Sequence, residues 1–294
     1  AIRYCWHLGC ILVKMPAISL LTGVNNTANS FAVADVFHAA AAVEDWTQAE
    51  GTAVAAEVAI VYSTFSEVWE PHSKPGDLSF GDVVFRASEG LWTEKQMMHA
   101  ALTSYLQLPV DVITDAHVAN ASCLARYKLL YLVDPHLGSA AATALKGWVR
   151  EGGVVWSQAR AATRNELNET ADVVAALHGG EAAIELTAGP PEKYQEIGYP
   201  GNAVTDLPVL GTVTIDPTSR MGTGENRSFE ALACIEDLRG FDQAHVAARF
   251  AGGGPALISF AAGSGTVWRL ATVLGAPMAL TATPPFAPRP QEWR

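Results

Sequence analysis

The sequence predicts an α/β protein whose sheet is doubly wound and mostly parallel. Four apolar runs, residues 57–63, 110–114, 128–134 and 154–157, are typical of strands buried on both faces. Helical or turn patterns separate these runs, and strands that alternate with helices favour a parallel sheet. A third observation is that hairpin signals replace helical patterns from about residue 230 onward.

Composition and charge exclude several classes of protein. The chain has 294 residues, of which 49% are hydrophobic, and a formal net charge of −11, so it is neither disordered nor suited to nucleic acid. Lys14 and Pro16 interrupt the apolar stretch 5–24, so we expect no membrane span. The charged fraction is only 17%, which favours a surface that contacts another domain or subunit.

The cysteines and glycines indicate neither a metal nor a cofactor. The four cysteines form no CxxC pair and have no accompanying histidine spacing, so the sequence predicts no metal site. The glycine runs 252–254 and 263–265 do not follow a strand and open a helix, as a phosphate-binding loop does; they predict hairpin turns. We expect no cofactor. Small buried cysteines favour a reducing compartment such as the cytoplasm and leave the compartment otherwise open.

Other segments are predicted from apolar periodicity and from the glycines and prolines that end helices and strands. Residues 91–107 and 139–150 have helical spacing, and Gly152-Gly153 ends the second helix. Residues 63–89 contain several prolines and glycines and are predicted as a loop. In residues 181–228 strand patterns no longer alternate with helical patterns, so the sequence predicts an irregular insertion with short strands there.

A site is expected where the parallel strands end, because ligands of open α/β sheets bind at the carboxyl edge. The candidates for substrate binding are polar or aromatic residues just past the strands or at the start of a helix: Trp69, Trp92, Glu94, His136 and Glu166. Each also has an ordinary structural interpretation. The tryptophans could close a domain interface, the carboxylates could be solvated, and His136 could belong to a turn.

Several of these segments together resemble a known family. The residues that carry the resemblance are the strand Glu57–Ser63, the strands Pro109–Ile113 and Tyr127–Tyr131, the helix end and strand Trp148–Val155, and the hairpin 246–267. They resemble the beta-galactosidase trimerisation domain of glycoside hydrolase family 42 and its relatives. The resemblance implies a flavodoxin-like sheet, similar to class I glutamine amidotransferases, with a C-terminal β-hairpin region over residues 51–280.

The same resemblance implies what surrounds this domain. Residues 1–50 are expected to be the end of an upstream (β/α)₈ barrel with its connecting helix, and residues 281–294 a Pro-rich linker. The family's two catalytic glutamates belong to that barrel, and no glutamate precedes Glu44 here. The amidotransferase nucleophile is a cysteine, whereas the matching turn carries Ser157, so glutaminase activity is not expected.

Three functions are therefore compared. The first is a non-catalytic oligomerisation domain of a beta-galactosidase-like hydrolase, with its own copies (such as a trimer), the upstream barrel and a galactoside as partners. The second is a free-standing hydrolase that uses Glu67, His136 or Glu166 at the strand ends. The third is a carbohydrate-binding module. The sequence favours the first and predicts no catalytic residue in this chain.

Overall fold

The computed structural model describes residues 54–69, 89–179, 181–188, 209–221, 224, 227–232, 234–242, 244–275 and 277–278. Contacts divide the chain into two units, Ala1–Ala55 and Ala56–Arg294. The architecture below belongs to the second unit. The expected barrel remnant, residues 1–50, and the expected linker, residues 281–294, lie outside the described residues.

Nine strands form one sheet in the order β2-β1-β3-β4-β11-β10-β9-β6-β7, and β5 pairs with β8 in a separate sheet. The strands are β1 Val58–Tyr62, β2 Val110–Thr114, β3 Leu129–Leu132, β4 Val154–Ser157, β5 Ala183–Ala188, β6 Val209–Ile215, β7 Arg227–Leu232, β8 Ile235–Arg239, β9 His245–Phe250, β10 Pro255–Ala262 and β11 Gly265–Leu270.

One half of the large sheet is parallel and the other half antiparallel. Strands β2, β1, β3, β4 and β11 run parallel in register. The predicted α/β class is confirmed, and the order β2-β1-β3-β4 is compatible with the predicted doubly wound sheet. The likeness to class I glutamine amidotransferases stays a prediction. Strand β11 occupies the fifth position, and the hairpins β10–β11 and β9–β10 extend the sheet. The predicted C-terminal hairpin region is therefore present.

Six α-helices are described. They are α1 Thr64–Trp69, α2 Glu89–Ala100, α3 Asp115–Ala119, α4 Ala121–Leu124, α5 Ser139–Arg150 and α6 Val173–His178, and a π-helical turn, Ala101–Tyr105, follows α2. Helix α1 lies within residues 63–89, for which the sequence predicts a loop, so that prediction is wrong at Thr64–Trp69. Six residues are too few for an apolar periodicity to stand out against the prolines that follow.

The core lies on both faces of the parallel half. On one face, Leu130, Val155 and Val267 are completely buried beneath Leu145 and Val149 of α5. A smaller cluster forms on the opposite face, where Ile60 and Val110 pack against Met98 and Leu102. Two covered faces explain why β1, β3 and β4 are continuous apolar runs rather than alternating ones.

The described part of the predicted insertion contains regular strands joined by turns. Strand β5 pairs antiparallel with β8, and β6 pairs with both β7 and β9. Strand β6 is thus part of the large sheet, although the sequence between residues 181 and 228 lacks the helical crossovers that identify the parallel half. Residues 189–208 lie outside the described residues.

The start of β11 is pressed against the end of α5. A Cβ atom on Gly265 would lie 2.0 Å from the Val149 carbonyl oxygen and 2.4 Å from that of Gly153. Both neighbours are backbone atoms and cannot rotate away. A glycine is therefore required for β11 to reach its place beside β4.

We expect Gly265→Ala to lower the free energy of unfolding by more than about 2 kcal/mol, because the methyl group must displace backbone. Gly147→Ala is the matched control. Gly147 lies inside α5, and a Cβ there would meet nothing within 4 Å. The control should raise stability by about 0.5–1 kcal/mol through helix propensity. Urea unfolding of both variants measures the difference, and equal stabilities would contradict this packing.

Candidate functional site

The carboxyl ends of β1 and β3 meet at the point where the strand order reverses, the usual ligand position in such sheets. A buried ion pair occupies this position. The Asp134 Oδ2 atom accepts a hydrogen bond of 2.6 Å from the Ser63 N–H, and Lys95 Nζ donates to both carboxylate oxygens over 3.0 and 3.1 Å. Asp134 is 4% and Lys95 5% exposed.

Two further groups surround the Lys95 ammonium. It lies 3.9 Å from Glu67 Oε1 and 4.2 Å from the centroid of the Tyr62 ring. Burial raises the pKa of the Asp134 carboxyl, while the neighbouring Lys95 charge opposes this rise. The ammonium and carboxylate therefore satisfy each other, and their main effect is to hold α2 against the ends of β1 and β3.

A second chain of hydrogen bonds links three strand ends. Ser66 Oγ lies 3.2 Å from His136 Nδ1, and His136 Nε2 lies 2.9 Å from Asn168 Oδ1. Because the amide oxygen of Asn168 can only accept, Nε2 carries the proton and the Ser66 hydroxyl donates to Nδ1. This is the order of a nucleophile, a base and an orienting group. Ser66 is completely buried and His136 is 2% exposed, so the hydroxyl has no access to solvent in this structure.

Trp69 and Glu166 come together at the rim of the same edge. The indole N–H of Trp69 donates to the Glu166 carbonyl oxygen over 3.0 Å, and the residue is 37% exposed. The Glu166 carboxylate accepts from the Ser139 N–H and hydroxyl at the start of α5. Hydrogen bonds from its own N–H and from Ser139 lower the pKa of Glu166. This carboxylate therefore acts as a helix cap.

Glu94 and Trp92 are placed differently from the rim residues. Glu94 is completely buried, and its Oε2 atom accepts from Gln158 Nε2 over 3.1 Å and from the Gly275 N–H over 2.5 Å. This carboxylate therefore lies in the interior of the second unit and not at the surface, where a substrate-binding residue was expected. Trp92 belongs to α2, and its side chain lies outside the described residues.

Sequence reasoning missed a buried ion pair between two sheets. Arg269 on β11 is completely buried, and Glu236 on β8 is 3% exposed. The guanidinium donates from Nη2 to both Glu236 oxygens over 2.8 and 2.7 Å, and from Nη1 to the Ala161 carbonyl over 3.0 Å. Burial raises the pKa of Glu236, and the Arg269 charge opposes that rise. The one available signal was an arginine inside the apolar run 266–271.

The loop after β4 carries backbone strain. Arg160, Ala162 and Asn168 have φ angles of 68°, 52° and 63°, a left-handed region that residues with a side chain rarely adopt. The Arg160 N–H donates to Glu236 Oε1 over 2.6 Å, which helps hold this conformation. At the position expected for a nucleophile, the Ser157 hydroxyl instead donates to the Trp268 carbonyl over 2.9 Å.

A small crevice opens beside His136. Its cavity volume is about 10 Å³, room for about one water molecule, and its lining consists of Val61, Leu132, Val133, Asp134, His136, Leu137 and Ala162. Pockets for small molecules usually have volumes of about 300–1,000 Å³, so this crevice is much smaller than a sugar site. Among the residues that the structure describes, no group of three histidine, cysteine or acidic side chains is arranged to hold a metal. In the same part of the chain, no helix is long and apolar enough to cross a membrane.

Comparisons with known proteins find similarity in structure only. No protein-family model matches the sequence, and no curated protein matches it. The beta-galactosidase from Bacillus circulans sp. alkalophilus aligns with 76% of this chain at 16% identity and a TM-score of 0.51, over 29% of its own length. A GH42 beta-galactosidase from G. stearothermophilus aligns with 83% at 20% identity, also with a TM-score of 0.51, over 31% of its length.

A third similar structure is the beta-galactosidase from the haloarchaeon Halorubrum lacusprofundi. It aligns with 78% of this chain at 17% identity and a TM-score of 0.51, over 30% of its length. The chain thus spans about a third of the length of the beta-galactosidases it matches. At these identities the comparisons show a shared fold, in agreement with the strand order described above.

The buried and exposed ion pairs should respond differently to loss of their lysine. We expect Lys95→Met to lower the free energy of unfolding by about 3–5 kcal/mol, because it leaves Asp134 buried without its counter-ion. Lys128→Met is the control, since Lys128 lies 2.8 Å from Glu57 in a pair whose side chains are 74% and 58% exposed. Loss of this exposed ion pair should lower the free energy of unfolding by no more than about 1 kcal/mol. Similar urea unfolding curves for the two variants would contradict the buried arrangement.

The two described cysteines should differ in reactivity. Burial, reinforced by the nearby Glu236 charge, raises the pKa of the Cys234 thiol to about 12, so almost no thiolate forms at neutral pH. Cys123 is partly exposed. We expect iodoacetamide at pH 8 to label Cys123 well before Cys234, as read by peptide mapping of the folded protein. Unfolding in urea should abolish the difference; rapid labelling of Cys234 without urea would argue against its burial.

Proposed function

We propose that this chain is a non-catalytic accessory domain of a glycoside hydrolase-related protein, and that it forms contacts between subunits and with a catalytic barrel. The observation that carries the proposal is that the polar side chains at the carboxyl ends of the strands are buried and bonded to one another. Asp134 is bonded to Lys95 and the Ser63 N–H, and the Ser66 hydroxyl is fully buried against His136. The polar groups that an enzyme would direct at a substrate are directed at one another.

The shared fold supports the hydrolase part of the proposal. The matched proteins are beta-galactosidases about three times as long as the aligned region, so this fold accompanies other domains in them. In the proposed arrangement the catalytic carboxylates belong to the barrel, and this domain supplies contact surface. A low charged fraction of 17% agrees with a surface that faces protein.

Two measurements on the purified full chain test this function. Light scattering should give the mass of an oligomer, and 4-nitrophenyl β-galactoside should not be hydrolysed by the chain alone. A monomer at every concentration would remove the contact role. The enzyme alternative would gain if the chain hydrolysed the substrate and if Glu67→Gln or Glu166→Gln abolished this activity. Glu57→Gln is the matched control, because the Glu57 side chain is 58% exposed and forms a surface ion pair with Lys128.

One observation favours a carbohydrate-binding role as a second candidate. The Trp69 indole is held by the Glu166 carbonyl while the residue stays 37% exposed, which suits stacking against a sugar ring. Titration with galactose or lactose should then change the tryptophan fluorescence, and Trp69→Phe should remove most of that change. Trp268→Phe, at a half-buried residue stacked on Trp156, serves as the control. The absence of any response would exclude this candidate.

A further inference from the structure

Helix α1 covers the carboxyl edge of the parallel strands. Its Ser66 Oγ atom lies 3.2 Å from His136 Nδ1 and accepts from the His136 N–H over 3.1 Å, just past the end of β3. At the other end of the helix, the Trp69 indole N–H reaches the Glu166 carbonyl oxygen in the loop after β4. The helix therefore occupies the position where open α/β sheets bind ligands.

The fit of α1 over this edge is close. A Cβ atom added to Gly138 would lie 2.9 Å from Phe65 Cε2, so the aromatic ring rests directly on the segment between β3 and α5. At the start of the helix, the Thr64 N–H and hydroxyl donate to Asp115 Oδ2 over 2.7 and 3.1 Å, at the end of β2. Helix α1 is thus attached to the segments that follow β2, β3 and β4.

These attachments are mostly polar. Of the six residues of α1 only Ser66 is buried, whereas Val68 is 56% and Trp69 37% exposed. Helix α5 differs because four apolar side chains anchor it in the core: Ala141, Ala142, Leu145 and Val149. A segment held by hydrogen bonds and few buried apolar groups opens locally at low cost, since water replaces the bonds that it loses.

The residues beneath α1 are enclosed by it. His136 is 2% exposed, and the crevice beside it, which Asp134 also lines, has a volume of about 10 Å³. In the structure His136 Nδ1 accepts from the Ser66 hydroxyl. Separation of α1 would leave this nitrogen as an acceptor that faces solvent, next to an enlarged crevice.

We infer that α1 is a reversible closure of the strand-end site, which consists of His136 and the crevice beside it. The helix separates by local opening while the sheet and α5 stay folded. In the open state His136 Nδ1 is available to hydrogen-bond donors other than Ser66. This inference goes beyond the proposed contact function and does not depend on it.

Hydrogen exchange of the wild-type chain tests the local opening. The amides of Thr64–Trp69 should exchange at least about tenfold faster than those of Ser139–Arg150, and low concentrations of urea should accelerate only the second group. They should still exchange more slowly than the same amides in the urea-unfolded chain. Equal protection of the two helices, or no protection of α1, would overturn the inference.

His136→Ala tests whether the bond to Ser66 holds the helix closed. Exchange in α1 should accelerate at least about tenfold while exchange in α5 stays unchanged. His245→Ala is the matched control, because His245 is an exposed histidine on β9, and it should alter neither helix. An unchanged rate in α1, or an equal acceleration of both helices, would contradict a separate closure that depends on His136.

Thiol labelling tests whether the opening uncovers the site. In Ser66→Cys, iodoacetamide should label position 66 at least about tenfold faster than it labels position 141 in Ala141→Cys, without urea and as read by peptide mapping. Ala141 is the matched position, because it lies on α5 and is 1% exposed. Equally slow labelling would overturn the closure, and the proposed contact function would stand, since the oligomeric mass is measured independently.

Discussion

The buried pair of Arg269 and Glu236 is the interaction on which the arrangement of this domain depends. It joins β11 of the large sheet to β8 of the small sheet, and the Arg160 N–H and Ala161 carbonyl attach the loop after β4 to the same two side chains. A charge pair removed from water is held only where every donor and acceptor is satisfied. The geometry of three segments is therefore fixed together, and with it the strained loop beside the candidate site.

The candidate site follows from this constraint. With the loop after β4 fixed, Asn168 reaches His136, and Glu166 meets both Trp69 and the start of α5. These polar side chains are thereby hydrogen-bonded within the domain. An α/β sheet directs polar groups to its carboxyl edge whether or not it is an enzyme, and the distinction lies in whether they face solvent or one another.

The sequence predicted β1 to β4, four of the five parallel strands, because burial in a parallel sheet leaves continuous apolar runs. It assigned β11 to the C-terminal hairpin region and did not predict that β11 pairs parallel with β4. It also predicted the glycine turns of the hairpins and the convergence of His136 with Trp69 and Glu166 at one edge. Helix α1 was missed because six residues give no periodicity. Arg269 and Glu236 were missed because their partnership spans 33 positions and depends on two separate sheets. Burial of Glu94 was missed because a charged residue near a helix start normally faces water.

Strand β11 lies between β4 and β10, although it is the last of the described strands in chain order. The parallel and antiparallel halves therefore have no direct connection in the sheet until residues 265–270 have been synthesised. During translation, β4 must expose a hydrogen-bonding edge to solvent while more than 100 further residues emerge, which invites premature pairing. The domain is thus expected to complete folding only after its last strand leaves the ribosome, and to gain more from chaperones than a sheet assembled in chain order.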